Sequence, residues 1–301
     1  MSARVLVLGA SGMLGSTVVS VLRKRGHDVV GTVRDLALVP ESARDGYRVF
    51  DASGGDLSTA LDGFGEGDYV VNCIGLIKHH LRDDDAGDRF QAVKINAELP
   101  YLLAQAAGER GTHVLQIATD CVYSGRDGGY DESAAHDAID VYGQSKSLGE
   151  VPSAGFLNLR CSIIGPEQKN RDSLLEWVLG HPAGSTFNGF LDHRWNGVTT
   201  DTFARIVDGI VSSRSALSGT YHLVPADSVD KDTLSRLILS AYGREDVTVV
   251  PVTTGSPVDR TLSTNRPDVN DSLWRAAGYD TPPTIEQMVR TLASASTESD
   301  S

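Results

Sequence analysis

Tyr142-Gly143-Gln144-Ser145-Lys146 sets a phenol and a primary amine four residues apart. On a helix that spacing puts both side chains on one face, one turn apart. An ammonium beside a phenol favours phenolate, so the spacing predicts a Tyr142 pKa lowered from about 10 toward neutrality. A tyrosine tuned in this way donates or accepts a proton. Such a pair also arises by chance on a helix surface, so its meaning rests on what precedes it. Upstream, Thr112 to Ala118 is an apolar run that reads as a strand. It delivers Thr119 and Asp120 to the carboxyl edge of a sheet, where ligands bind in open α/β folds.

The elements that must position these groups begin at the N-terminus. Val5 to Leu8 is a continuous apolar strand, followed by Gly9-Ala10-Ser11-Gly12-Met13-Leu14-Gly15 and a helical pattern through Arg25. A strand, a glycine turn and a helix in that order make a dinucleotide-binding turn. Gly9 serves the tight turn, Gly12 the approach to a pyrophosphate and Gly15 the packing of helix on sheet. The turn residues Gly9, Ser11, Gly12, Met13, Leu14 and Gly15 are cofactor candidates.

The second strand, Asp28 to Val33, ends at Arg34-Asp35. An acid at the strand end would select NAD, whereas arginine suits a 2′-phosphate. Val33 holds the acid's place and Arg34 follows, so the reading is NADP(H); a one-residue change of register would bring in Asp35 and NAD(H). Asp51, after a strand at Tyr47 to Phe50, either accepts from an adenine amino group or forms a turn. The strand Asp68 to Cys73 leads to Ile74 and Gly75, which complete the cofactor edge. Phe90 to Arg110 reads as a long helix carrying Asn96, with Pro100 as a kink or break. Phe156 to Ile164 reads as a sixth strand.

The alternation predicts an α/β fold of Rossmann type: a doubly wound parallel sheet with helices on both faces. Residues 1–165 would form the nucleotide-binding domain, with 196–224 returning to it. Residues 166–293 would form a smaller α+β substrate-binding domain, and 294–301 a disordered tail. In the second half, helices are expected at Ser173 to Leu179, Thr200 to Ser213 (capped by Thr200 or Asp201), Asp230 to Tyr242 and Pro283 to Ala293.

Composition narrows the class. The chain has 301 residues and a formal net charge of −13, which argues against general nucleic-acid binding. No apolar run is long enough to span a bilayer. Three well-separated cysteines, Cys73, Cys121 and Cys161, read as free thiols in a reducing cytoplasm. No Cys/His spacing matches a zinc site, and Lys78-His79-His80 with Asp83-Asp84-Asp85 reads as a solvated loop, so no metal is expected. Arg160 is either a structural charge or a phosphate ligand. Arg260 and Arg266 are either diphosphate ligands or solvated loop residues. Phe187, Phe190 and Trp195 either line a pocket or pack in the core.

Three blocks carry a family resemblance: Gly9 to Gly15; Ala118-Thr119-Asp120-Cys121-Val122-Tyr123-Ser124-Gly125; and Tyr142 to Lys146 with Leu148-Gly149-Glu150 behind it. Together they resemble the extended short-chain dehydrogenase/reductases, and within them the dTDP-4-dehydrorhamnose reductase group, whose members usually read Ser-Thr-Asp-x-Val-Phe-x-Gly at the second block. The resemblance implies Tyr142 as catalytic acid, Lys146 as its partner and Thr119 as the catalytic hydroxyl. Tyr142 and Lys146 would also touch the cofactor. It implies cofactor contacts from Cys73, Ile74, Gly75 and Asn96, and sugar contacts from Asp120, Cys121 and Arg260. The expected activity is NADPH-dependent reduction of the 4-keto group of a nucleotide-linked 4-keto-6-deoxy sugar. Ala118 replaces the usual serine, and Cys121 stands where an aromatic is common, so the sugar can differ from the rhamnose precursor. An epimerase or dehydratase of the same superfamily, or a non-catalytic NADP-binding regulatory subunit, are the competing readings. A homodimer is one open state of assembly.

Overall fold

Val5 and Val7 point to one side of their strand and Leu6 and Leu8 to the other, and both sides are covered. This computed structural model describes residues 4–167 and 173–299. The first half contains β1 (Arg4–Leu8), α1 (Met13–Lys24), β2 (Asp28–Val33), β3 (Tyr47–Val49), α2 (Leu57–Ala60), β4 (Tyr69–Asn72), α3 (Ala86–Ala92), α4 (Leu99–Gly108), β5 (His113–Ala118), α5 (Val141–Leu148) and β6 (Phe156–Arg160). The second half adds β7 (Ile163–Ile164), α6 (Leu174–Leu179), β8 (Thr186–Phe190), β9 (His193–Trp195), β10 (Val198–Thr199), α7 (Thr200–Ser212), β11 (Gly219–His222), β12 (Val229–Asp230), α8 (Lys231–Ala241), β13 (Thr248–Val252), β14 (Val258–Asp259), α9 (Pro267–Ala276) and α10 (Ile285–Ser299).

Seven strands form one sheet in the order β11-β6-β5-β4-β1-β2-β3. Every neighbouring pair is parallel. On one face Val5 and Val7 pack with Val18 and Leu22 of α1 and Phe203 and Val207 of α7. On the other, Leu6 and Leu8 pack with Leu57, Leu61, Leu99 and Leu103. A strand buried on both faces is apolar throughout, which is why β1 shows no alternation. The first of these cores runs on without a break into Leu234, Trp274, Ile285 and Met288 of the second half.

Four local expectations change. The sixth strand is not continuous to Ile164. β6 ends at Arg160, whose carbonyl accepts from Leu223, and the chain then turns away so that β7 pairs with β10. The long helix is interrupted: Val93–Glu98 forms a π-helical turn between α3 and α4. Pro100 lies in the first turn of α4, where its missing N–H costs least. The cap of α7 is Thr199, whose hydroxyl accepts from Thr202 N at 3.3 Å. The expected tail from Ser294 is instead the end of α10, which runs to Ser299. A helix already nucleated by buried Ile285, Met288 and Leu292 propagates through residues with little apolar content; residues 300 and 301 lie outside the described residues. Helix α9 was not expected at all, although Pro267 at its first turn is a start signal.

Candidate active site

The Gly9 turn, the ends of β2 and β4, and the loops after β3 and β4 enclose a cavity of about 680 Å³ at the carboxyl edge of the sheet. Gly9 has φ +78°, and its N–H donates to Thr32 Oγ1 at 3.1 Å. A Cβ on Gly15 would lie 2.2 Å from Gly9 O, so α1 can approach the turn only with glycine there. Gly9, Ser11, Gly12 and Met13 line the cavity, as do Arg34, Asp51, Cys73, Ile74 and Gly75. Leu14 does not; it belongs to the core.

Arg34 is exposed on the wall, while Asp35 is engaged as a cap, its Oδ1 accepting from Ala37 N at 2.8 Å. Asp51 Oδ1 accepts from Ser53 N at 2.8 Å, and that turn holds its carboxyl below the usual range. Asp51 thus shapes a turn on the cavity wall. Asn96 does not line the cavity. Its amide donates to Leu76 O and Ser145 Oγ and accepts from Leu76 N, tying the π-helical turn to α5 and to the loop after β4. Thr32, Ala52, Ser53, Leu76, Gln91 and Ile95 also line the cavity. Apart from Thr32 of β2, they come from loops and helices whose approach only the folded chain defines.

Helix α5 starts at Asp140, whose carboxylate accepts from Gly143 N at 2.8 Å and pairs with Lys78 at 2.7 Å. A Cβ on Gly143 would lie 2.2 Å from Cys121 O. Glycine here lets α5 press against the short turn that Thr119 caps, which places Tyr142 beside Thr119. Thr119 caps a short 3-10 turn, Asp120–Val122, accepting from Cys121 N at 3.1 Å. Lys146 is buried, and its Nζ donates to Ile117 O at 3.0 Å. It also faces Gly75, where an added Cβ would lie 3.9 Å from Nζ. Lys146 thus links α5 to the cavity wall.

The electrostatics differ from the simple expectation. Burial raises the Tyr142 pKa, with Cys121 and Asp120 adding to the rise. Burial pulls Lys146 down to about 8. The ammonium is held on a strand carbonyl and turned toward Gly75, while the phenol faces Thr119, Cys121 and Asp120. Tyr142 is therefore held protonated at neutral pH, the form that can give up a proton.

Asp120 is buried, and burial raises its carboxyl against the pull of Arg260 and Lys231. Cys121 is raised to about 12, by burial first and Asp120 next. Arg260 Nε donates to Tyr123 O at 2.9 Å. Lys231, which sequence reasoning passed over, opens α8 with its Nζ 5.5 Å from the centre of the Trp195 ring. Its burial lowers it to about 8. A lysine at the positive end of a helix is disfavoured by the dipole, and that is the one signal in the sequence that could have drawn attention to it.

The remaining candidates lie elsewhere. Arg266 stacks on Tyr221. Arg160 is buried and paired with Glu150 at 2.6 Å. Trp195 is buried with its Nε1 donating to Ser162 Oγ, and Phe187 packs against Trp177 and His181. All three cysteines are free. Among the described residues no His, Cys, Asp and Glu group is arranged to hold a metal ion, and no helix is long and apolar enough to cross a membrane.

Comparison with known proteins sets this geometry in context. A family model described as RmlD substrate binding domain matches residues 3–297. The chain is 28% identical over 274 residues to a probable low-salt glycan biosynthesis reductase, Agl14, of Haloferax volcanii, covering 84% of this chain and 85% of that one. It is 24% identical over 289 residues to a dTDP-4-dehydrorhamnose reductase of Streptomyces griseus, covering 92% and 88%. The crystal structure of a dTDP-4-dehydrorhamnose reductase from Bacillus anthracis in complex with NADP superposes with a TM-score of 0.75, 20% identity and coverage of 97% and 99%.

Proposed function

The chain belongs to the RmlD substrate binding domain family, and on that premise we propose that it is an NADPH-dependent reductase of the 4-keto group of a nucleotide-linked 4-keto-6-deoxy sugar. The observation that carries the reading is Tyr142 and Lys146 on α5, seated at Gly143 against the turn that Thr119 caps, beside a glycine-turn cavity whose Gly75 wall Lys146 faces. The cavity fits the cofactor: it has a positive-φ glycine turn at a helix N-terminus for a pyrophosphate and an exposed arginine, Arg34, for a 2′-phosphate. NADPH bound there supplies the hydride.

This chain's residues handle the oxygen. As negative charge develops on the carbonyl oxygen, Tyr142 donates its proton to it and Thr119 donates a hydrogen bond. Both act from positions fixed before reaction, which is where such stabilisation is worth most. Lys146, held on Ile117 O and turned toward Gly75, would grip the nicotinamide ribose hydroxyls. Asp120, Cys121, Lys231 and Arg260 form the wall facing the sugar. Names of relatives support the substrate class: dTDP-4-dehydrorhamnose reductase and dTDP-4-keto-6-deoxy-D-glucose reductase.

The test is NADPH oxidation across a panel of nucleotide-linked 4-keto-6-deoxy sugars. Turnover by the native chain, lost by about a hundredfold or more in Tyr142→Phe with NADPH binding retained, is expected. A Tyr142→Phe protein of full activity would sink the mechanism.

A further inference from the structure

Arg160, at the end of β6, uses all five of its N–H donors inside the protein. Nε and Nη2 donate to the two oxygens of Glu150 at 2.7 and 2.6 Å. Nη2 also donates to His136 Nε2 at 2.7 Å. Nη1 donates to the Tyr123 hydroxyl at 2.7 Å and to His222 Nε2 at 2.9 Å. The side chains of Arg160 and Glu150 are 5% and 7% exposed, and Tyr123 and His222 are fully buried.

The chemistry of the donors fixes the histidines. A guanidinium only donates, so each Nε2 facing it must be an acceptor. His222 Nδ1 lies 2.7 Å from Ser263 O, a carbonyl that only accepts, so it carries the ring's single proton. In His136 the acceptor role of Nε2 leaves the single proton on Nδ1, which lies 2.6 Å from Ser147 Oγ. Both rings are neutral by construction, and a second proton on either would set donor against donor.

The network joins the two elements that hold the reacting hydroxyls. Tyr123 ends the short turn that Thr119 caps. Glu150 and Ser147 sit at the C-terminal end of α5, whose first turn carries Tyr142. The Tyr123 hydroxyl is what Arg160 grips on the Thr119 side.

We propose that Arg160 is a positioning residue for the reduction: through Tyr123 it fixes the Thr119 turn, through Glu150 and His136 it fixes α5, and a proton on His136 or His222 releases that hold. The inference rests on the ketoreductase reading. Displacement of a catalytic group by about 1 Å can cost about a hundredfold in rate. The charged and titratable groups facing His222 are Arg160, Glu132, Glu150, Tyr123 and Asp131. Those facing His136 are Arg160, Glu150 and Asp137, with the Tyr123 ring edge-on. Burial, then Arg160, lowers His136; burial leads for His222 too, with Arg160 in the same direction.

The test compares native protein, Arg160→Lys, Tyr123→Phe and the double variant His136→Gln/His222→Gln. Measurements are kcat and KM for a dTDP-4-keto-6-deoxy sugar, the NADPH Kd and Tm, each across pH 5 to 8. Glutamine keeps a carbonyl acceptor toward Arg160 and takes no proton. Arg160→Lys is expected to lower kcat about thirtyfold or more while KM and NADPH Kd move less than about threefold. Native kcat is expected to fall on the acid side of the ordinary imidazole range, since both rings are lowered, and the double variant to hold its rate to lower pH. Unchanged kcat in both Arg160→Lys and Tyr123→Phe overturns the proposal. So does a loss of kcat that tracks Tm and NADPH affinity in proportion, or an acid limb that the double variant leaves in place. A native protein that turns over no keto sugar defeats the functional reading and this inference together; an active native protein with indifferent variants defeats this one alone.

Discussion

Lys146 is the residue whose environment departs most from its sequence expectation, and the departure has a measurable consequence. Its ammonium is lowered to about 8 by burial. Positive charge at Nζ is therefore full below that pH and lost as pH rises through it. kcat/KM is expected to fall on the alkaline side with an apparent pKa near 8, and Lys146→Arg is expected to move that limb upward. Lys231 is lowered to about 8 as well, so Lys231→Met separates the two: a pH–rate profile that keeps its limb in Lys231→Met and loses it in Lys146→Arg assigns the limb to Lys146. Thr119, Tyr142 and Lys146 were legible because each is marked by its own neighbours, a strand end or a helical spacing. Lys231, His136 and His222 were not. Their partners stand far away in the sequence, His222 at 62 residues from Arg160 and 99 from Tyr123, and no local pattern records such a meeting.

The element that sets the geometry is α5, and its seat depends on Gly143. An alanine there would place its Cβ 2.2 Å from Cys121 O, forcing the helix off the Thr119 turn. Gly143→Ala is expected to cost about 1–3 kcal/mol, read as a lower denaturant midpoint, and to reduce kcat more than NADPH binding. Thr199→Ala removes the cap of α7, at a cost of about 1 kcal/mol; because α7 packs on α1, the loss is expected as a lower Tm with little change in kcat. The strands and most helices of the first half could be read along the chain from apolar runs and glycine turns. The π-helical turn at Val93–Glu98 could not, since the apolar pattern runs through it, and what it serves is Asn96, which reaches Leu76 and Ser145. Helix α9 was missed because its buried face, Val269, Leu273 and Trp274, follows a polar stretch that reads as loop.

At the scale of the whole molecule, two halves that the β-α alternation separates at residue 165 share one core. Val5, Val18 and Leu159 belong to the same cluster as Trp274, Ile285 and Met288. A fragment of residues 1–165 is therefore expected to lack cooperative unfolding and to bind no NADPH, as circular dichroism and fluorescence titration would record. Cofactor choice belongs to this scale too, because the wall around Arg34 is assembled from both neighbouring loops. NADPH is expected to bind more tightly than NADH, and Arg34→Ala to erase most of that difference; equal affinities in the native chain would remove the 2′-phosphate assignment.

The seventh strand of the sheet, β11, ends at His222, and the carbonyl that orients this imidazole belongs to Ser263. A chain emerging from the ribosome therefore displays its glycine turn, Thr119, Tyr142 and Lys146 long before the strand that closes the sheet edge at β6 has been made. Until then Arg160 lacks His222. On the proposed mechanism, competence for reduction is tied to completion of synthesis: a prematurely terminated nascent chain would carry Thr119, Tyr142 and Lys146 and still lack the contact that closes the array.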